Sequence, residues 1–323
     1  MDRRQILTGG ASMLGVGAML PVLGACSAAA AEAVPMASAV ENSGNGFAPK
    51  NPIHNAEVLA RMNHGISGES NYGWFGGRVF AVIGDEQVIQ PLFDVEGFGA
   101  NRMLPLGDSR YQSLHREVGY YKDLRTGEIM EQWANPLLDG EVVDVSHINN
   151  DPVNAVIGPM IEAKLGEGQV TEFPLSLPWT FMGDLAMTSF DVNTQWKNVL
   201  DPEVWPRESS GKEFVRVSEY LQFFVQRSEL ENWRNVDKIH HHGGWQRLGT
   251  WLPWMLMGDA PGHLFYRSYT KSLKSVEELP PHILDYTEKN YPKYLEAPAE
   301  WTSPNETSFE VYMKNNTPKP PQE

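Results

Sequence analysis

Cysteine is almost missing from this chain: its 323 residues include one, Cys26. A single thiol excludes an internal disulfide in a monomer and any cysteine-rich metal centre. Positive charge is scarce too, with 26 Lys and Arg against 41 Asp and Glu and a formal net charge of -15. Such a surface repels phosphate backbones, so no nucleic-acid partner is expected. The sequence has no G-x-S-x-G, no phosphate-binding loop and no H-E-x-x-H, and its Gly73-Trp74-Phe75-Gly76-Gly77 run lacks the strand-then-helix context of a phosphate cradle. No repeat of 20 to 50 residues and no βαβ rhythm are visible, which excludes solenoid and doubly wound architectures.

What is present is aromatic: 10 Trp, 11 Tyr and 13 Phe within a 41% hydrophobic chain, enough for one large core. The amino terminus has a separate character. Asp2-Arg3-Arg4-Gln5-Ile6-Leu7 fits a twin-arginine export signal, and the uncharged stretch from Ile6 to Ala25 holds five glycines and Pro21, poor material for a membrane-spanning helix. Leu23-Gly24-Ala25-Cys26 has the form of a lipobox, with cleavage near Ala30 to Ala33 as the alternative. Residues 1–25 are thus read as a signal peptide, Cys26 as a lipidation site and 26–54 as a flexible tether, since Ala, Ser, Gly and Asn there bury too little to order themselves. The expected address is periplasmic, with the membrane reached through the lipid anchor only; Ser27 after the cysteine favours the outer membrane.

Residues 55–314 read as one β-rich domain and 315–323 as a disordered, proline-rich tail. A short helix is expected at Asn55 to Asn63. The stretch from Gly119 to Val153 reads as three extended segments joined by turns at Leu124 to Gly127 and Asn135 to Gly140, where Gly, Asn, Pro and Asp supply the turn conformations. Ala186 to Trp196 and Phe214 to Arg227 alternate between apolar and polar as half-buried strands do, and Trp245 to Met257 and His263 to Tyr269 add two more. Many short-spaced strands predict a mainly β fold: an antiparallel calycin-like (lipocalin-like) barrel or strongly curled sheet with a few short peripheral helices.

Several local patterns carry a resemblance. Thr126 to Glu128, Trp133 to Pro136, Gly140 to Val143 and His147 to Val153 resemble the domain-of-unknown-function family 1838, as do Trp251 to Trp254, Pro261-Gly262 and Trp301 to Ser308. The likeness spans most of the chain after Asn55. Members are common in bacteria and often bear twin-arginine signals; the resemblance implies no activity and no catalytic residues.

Two polar residues stand on apolar strand faces. Glu219 interrupts the row Val215, Val217, Leu221, Phe223 and Val225, where lost hydration would raise its pKa toward that of a general acid or base. His147 shares a face with Val143 and Val145. If both faces turn inward, the pair becomes an acid and a base; otherwise Glu219 pairs with an arginine such as Arg78, Arg116 or Arg247, and His147 is a hydrogen-bonded core residue. Trp179, Trp245, Trp251 and Trp254 supply indole surface for a flat hydrophobic ligand or for a core. His240-His241-His242 invites a metal reading, but neighbouring strand residues point oppositely and the setting reads as a solvent loop, so neither metal nor other cofactor is expected. The resulting expectation is a lipid-anchored barrel that binds a hydrophobic or aromatic small molecule, with cofactor-independent dehydratase- or isomerase-type chemistry. A non-catalytic ligand-binding or scaffold lipoprotein is the alternative.

Overall fold

The computed structural model describes residues 46–84, 89–165, 169–302 and 304–321. The export signal, Cys26 and most of the tether lie outside the described residues. Helix α1 (Pro52–Asn63) begins three residues earlier than the apolar spacing predicts, because Asn51 caps it by accepting the Ile53 N–H and Pro52 pre-sets φ in the first turn. It is no surface ornament. Ala56, Val58, Leu59, Ala60 and Met62 are buried, and so are Asn55, Arg61 and Asn63. Among the described residues, no helix is long and apolar enough to cross a membrane.

The main sheet is antiparallel throughout and is built from two meanders. The first comprises β1 (Asn71–Val82), β2 (Gln90–Gly107) and β3 (Arg110–Lys122). A small hairpin of β4 (Gln132–Asn135) and β5 (Glu141–Asp144) follows, then the short β6 (Ile148–Asn150) and β7 (Ala155–Ile157), both paired to β3, and the separate hairpin β8 (Met160–Leu165) and β9 (Gln169–Pro174). The second meander runs through β10 (Thr180–Met182), β11 (Leu185–Lys197), β12 (Phe214–Gln226), β13 (His241–Gly249) and β14 (His263–Leu273). An eleven-pair ladder from Tyr72↔Leu273 to Val82↔His263 joins the two, giving the order β10-β11-β12-β13-β14-β1-β2-β3-β6.

Strand parity on β11 and β12 follows the sequence. Ala186, Thr188, Phe190, Val192, Thr194 and Trp196 are buried on one, and Val215, Val217, Glu219, Leu221, Phe223 and Val225 on the other. The expected barrel does not close. No ladder among the described residues joins β10 to β3, β6 or β7, and the strands at these ends have only three residues each. Asn149-Asn150-Asp151-Pro152 interrupts the β3 side, where proline offers no N–H to a ladder.

The sheet curls all the same. Tyr121 on β3 and Tyr266 on β14 would have backbones roughly 14 Å apart on a flat sheet, three spacings of about 4.8 Å, yet their hydroxyls come within 3.5 Å. Helices fill the open seam. Glu57 of α1 accepts from the Tyr111 hydroxyl on β3 at 2.5 Å, while Asn55 accepts from the Trp179 indole beside β10 at 2.8 Å. Helix α4 (Ser308–Asn315) bridges likewise, Ser308 donating to Asn150 on β6 and Phe309 meeting the Trp196 ring on β11. On the outer face, α3 (Pro281–Asn290) covers Phe98, Val118, Tyr120 and Leu273, a second small core.

Candidate functional site

The curl brings one cross-strand row into focus. Glu219 on β12 pairs in register with Arg247 on β13, which pairs with Tyr266 on β14. All three are buried. Arg247 Nε lies 3.7 Å from Glu219 Oε1, an ion pair too long for a hydrogen bond, and neither atom has a hydrogen-bond partner among the described residues. The guanidinium also sits 5.5 Å from the Tyr266 ring centre, and the Tyr266 and Tyr121 hydroxyls are 3.5 Å apart. Across the interior, Glu117 accepts from Asn150 at 2.6 Å.

Burial dominates the electrostatics here. Desolvation lifts Glu219 to a pKa of about 7, with Arg247 pulling down and Glu117 pushing up. Desolvation also raises the Tyr121 and Tyr266 phenols. His115 and His241 are driven down to about 3 by burial, and His64 also falls well below its usual value. His64 and His115 stack at 5.8 Å, and no ring nitrogen of either has a hydrogen-bond partner among the described residues.

A consequence for stability follows from Glu219. Its folded pKa of about 7 exceeds the unfolded value of 4.5, so stability present below pH 4.5 is lost as pH rises toward 7. The stability of wild type relative to Glu219→Gln is expected to fall by roughly 3 kcal/mol between pH 4 and pH 8. Urea unfolding of both proteins measures this, and any constant offset from stranding Arg247 cancels in the difference. A pH-independent gap would sink the assignment.

His147 lies elsewhere. Strand β5 ends at Asp144, and the Val145 N–H bond to the Glu131 carbonyl is the last in that register, so strand parity does not extend to residue 147. Its Nδ1 accepts the Tyr121 backbone N–H at 3.2 Å, and its ring meets Tyr120 and Tyr286 edge-on, in the layer beneath α3. Burial lowers it to about 4, with Glu131 opposing. His147 thus sits with Tyr120 and Tyr286 under α3, while Glu219 sits with Arg247 and Tyr266 on the interior face.

Of the tryptophans, Trp245 packs between Phe75 and Tyr266, and Trp254 against Phe93, Tyr121 and Trp133, both indole N–H groups lacking a partner among the described residues. Trp251 is buried and donates to the Ala260 carbonyl; Trp179 stands at the seam beside Phe47 and Phe181. Trp245 and Trp254 thus line the same interior as Tyr121 and Tyr266, while Trp179 does not.

The histidine triplet is strand rather than loop at its second residue. His241 opens β13 facing Phe223 inside, His240 stands 3.7 Å from Glu229 and His242 stacks on Phe224 outside. Among the described residues, no three His, Cys, Asp or Glu side chains are disposed to hold a metal.

Reading the sequence missed Glu117, His115, Tyr121 and Tyr266 as site residues. The first three face inward on β3, but His115, Arg116 and Glu117 are all polar, so alternation there names no face. A family model described as "Protein of unknown function (DUF1838)" matches residues 68–316, from just before β1 to just past α4. No curated protein matches the chain.

Proposed function

We propose, from the premise that the chain belongs to this DUF1838 family, an exported, lipid-anchored enzyme that moves a proton on a hydrophobic or aromatic small molecule without a cofactor. The observation carrying this reading is the buried ion pair of Glu219 Oε1 and Arg247 Nε, 3.7 Å apart, neither atom having a hydrogen-bond partner among the described residues. Buried polar groups are nearly always satisfied, so a pair left open beside aromatic walls suits a ligand's polar group.

With a pKa of about 7, Glu219 holds or releases a proton at neutral pH. In an isomerisation its carboxylate removes a proton from one carbon and returns it to another, so atoms and electrons balance within the substrate. In a dehydration it removes the proton and delivers it to the departing hydroxyl, which leaves as water. Arg247 Nε–H faces the oxygen where negative charge gathers. In this reading Trp245, Trp254, Tyr121 and Tyr266 supply the apolar surface against which the ligand lies. His147 serves as a positioning residue, fixing Tyr121 through its backbone N–H. In this reading the sheet acts as a calycin-like cup with α1 across its seam, Trp179 and Trp251 hold its rim, and Cys26 tethers it to the outer membrane from the periplasmic side.

The test begins with native mass spectrometry of exported protein to recover a bound small molecule. Incubating that complex in deuterated water is expected to place deuterium at carbon in the ligand, and Glu219→Gln to slow this by about a hundredfold or more. A ligand recovered intact and free of carbon-bound deuterium would replace the enzyme with a binding lipoprotein.

A further inference from the structure

The outer face of the sheet carries a feature that the interior reading does not use. A groove of about 460 Å³ crosses β14, β1, β2 and β3, lined by Trp74, Arg78, Glu96, Lys122, Arg267 and Tyr269 among others. Its floor is low because Gly76 stands between Tyr269 and Glu96 in the register, with no side chain of its own. The Trp74 indole fills that space instead: a Cβ on Gly76 would come within 2.5 Å of it, and its N–H is held by Glu96 at 3.0 Å. Tyr269, opposite the glycine, is 67% exposed, which is far from ordinary for an aromatic residue in mid-strand.

The next register row reads Arg267, Arg78, Asp94, Lys122. Arg78 grips Asp94 through two hydrogen bonds, and Glu96 takes both Lys122 and His282 on one oxygen at 2.6 and 2.9 Å. Arg267 is exposed and no carboxylate among the described residues pairs with it. The groove thus presents two aromatic surfaces, two carboxylates with lone pairs to spare and one uncommitted guanidinium, on a protein whose net charge is -15. Carboxylates that are already held in place call for hydroxyl donors, which an aromatic acid or an acyl chain does not offer. Aromatic rings favour the apolar C–H face of a sugar ring, and a guanidinium on an acidic surface selects a carboxylate through paired hydrogen bonds.

We propose that this groove binds a sugar bearing a carboxylate, that is, a uronate residue, with the ring against Trp74 and Tyr269, the carboxylate on Arg267 and ring hydroxyls on Asp94 and Glu96. The site lies on the opposite side of the sheet from Glu219 and is independent of the interior chemistry.

Isothermal titration of the mature chain with a short galacturonate oligomer, and with the matching neutral galactose oligomer, tests it. The acidic oligomer is expected to bind and to quench tryptophan fluorescence, with the neutral one about tenfold weaker or more. Tyr269→Ala and Arg267→Gln are expected to weaken the acidic oligomer by about tenfold each, with unchanged thermal melts since both side chains are exposed. Glu219→Gln should bind it as wild type does, which separates this site from the interior one. Equal affinity for the two oligomers, undiminished binding by Tyr269→Ala, or no binding of the acidic oligomer would each overturn the proposal.

Discussion

Between pH 6.5 and pH 4.5 the folded domain is expected to lose roughly 7 kcal/mol from three histidines alone, His115, His241 and His147. Each has a folded pKa pushed by burial to between about 3 and 4, against 6.5 when unfolded. A depressed histidine leaves stability whole above 6.5. As pH falls below that value the unfolded chain takes up protons that the fold refuses, at up to about 1.4 kcal/mol per histidine and pH unit. His64, lowered in the same direction, adds to the loss. Glu219 opposes it, because the fold favours its protonated form, and returns roughly 2 kcal/mol over the same descent from pH 6.5 to 4.5. The remainder, about 5 kcal/mol or more, is comparable to the whole stability of a typical domain. Acid unfolding near pH 4.5, followed by circular dichroism and by urea midpoints across the range, is the measurement. His147→Asn sharpens it, since an amide oxygen can accept the Tyr121 N–H while carrying no titratable proton. Its stability profile below pH 6 is expected to be shallower by about one proton, roughly 1.4 kcal/mol per unit. Equal urea stability at pH 7 and 4.5 would refute the histidine burial that the fold implies.

Much of this interior is legible in the sequence. Alternation along β11 and β12 names the inward residues because apolar and polar side chains there fall cleanly on opposite faces, and Glu219 stands out against that row. Its partner is less legible: Arg78, Arg116 and Arg247 are equal candidates by sequence, and the register selects Arg247. On β3 the signal is obscured: His115, Arg116 and Glu117 are all polar, so the sequence gives no face to prefer, and only the pairing to β2 and β6 turns His115 and Glu117 inward. His147 illustrates a different limit. A period of two holds only while the strand continues, and β5 ends at Asp144, with no pairing beyond the Val145 bond to Glu131. Closure is illegible for a third reason. Whether the end strands meet depends on their length and curl, and here a buried helix from the stretch before the matched family region occupies the seam.

The curl has a weak point that a single methyl group should expose. Gly243 faces inward on β13 between Phe223 of β12 and Thr270 of β14, with a φ outside the left-handed region, so it is not there for a turn. It is there for proximity: a Cβ at this position would lie 1.7 Å from the Gln222 carbonyl oxygen. Backbone of a central strand cannot step aside as a side chain does, so Gly243→Ala must push β13 off β12 and break ladder hydrogen bonds. A loss of more than about 4 kcal/mol, or failure to fold, is expected. Gly244→Ala is the control. Its Cβ would point outward and meet the Gln246 and Gln222 side-chain ends at 3.1 and 3.2 Å, which rotate away, so a change within about 1 kcal/mol is expected. The pair separates close approach from the general flexibility of glycine, which both substitutions remove equally. Urea unfolding of the two variants decides it, and a Gly243→Ala protein as stable as Gly244→Ala would show that the strands do not pinch there. The pinch matters beyond stability because Arg247 lies four residues further along the same inward face of β13. Where β13 presses on β12 at Gly243, it fixes how β13 runs past Glu219, and therefore the 3.7 Å separation on which the proposed proton transfer rests.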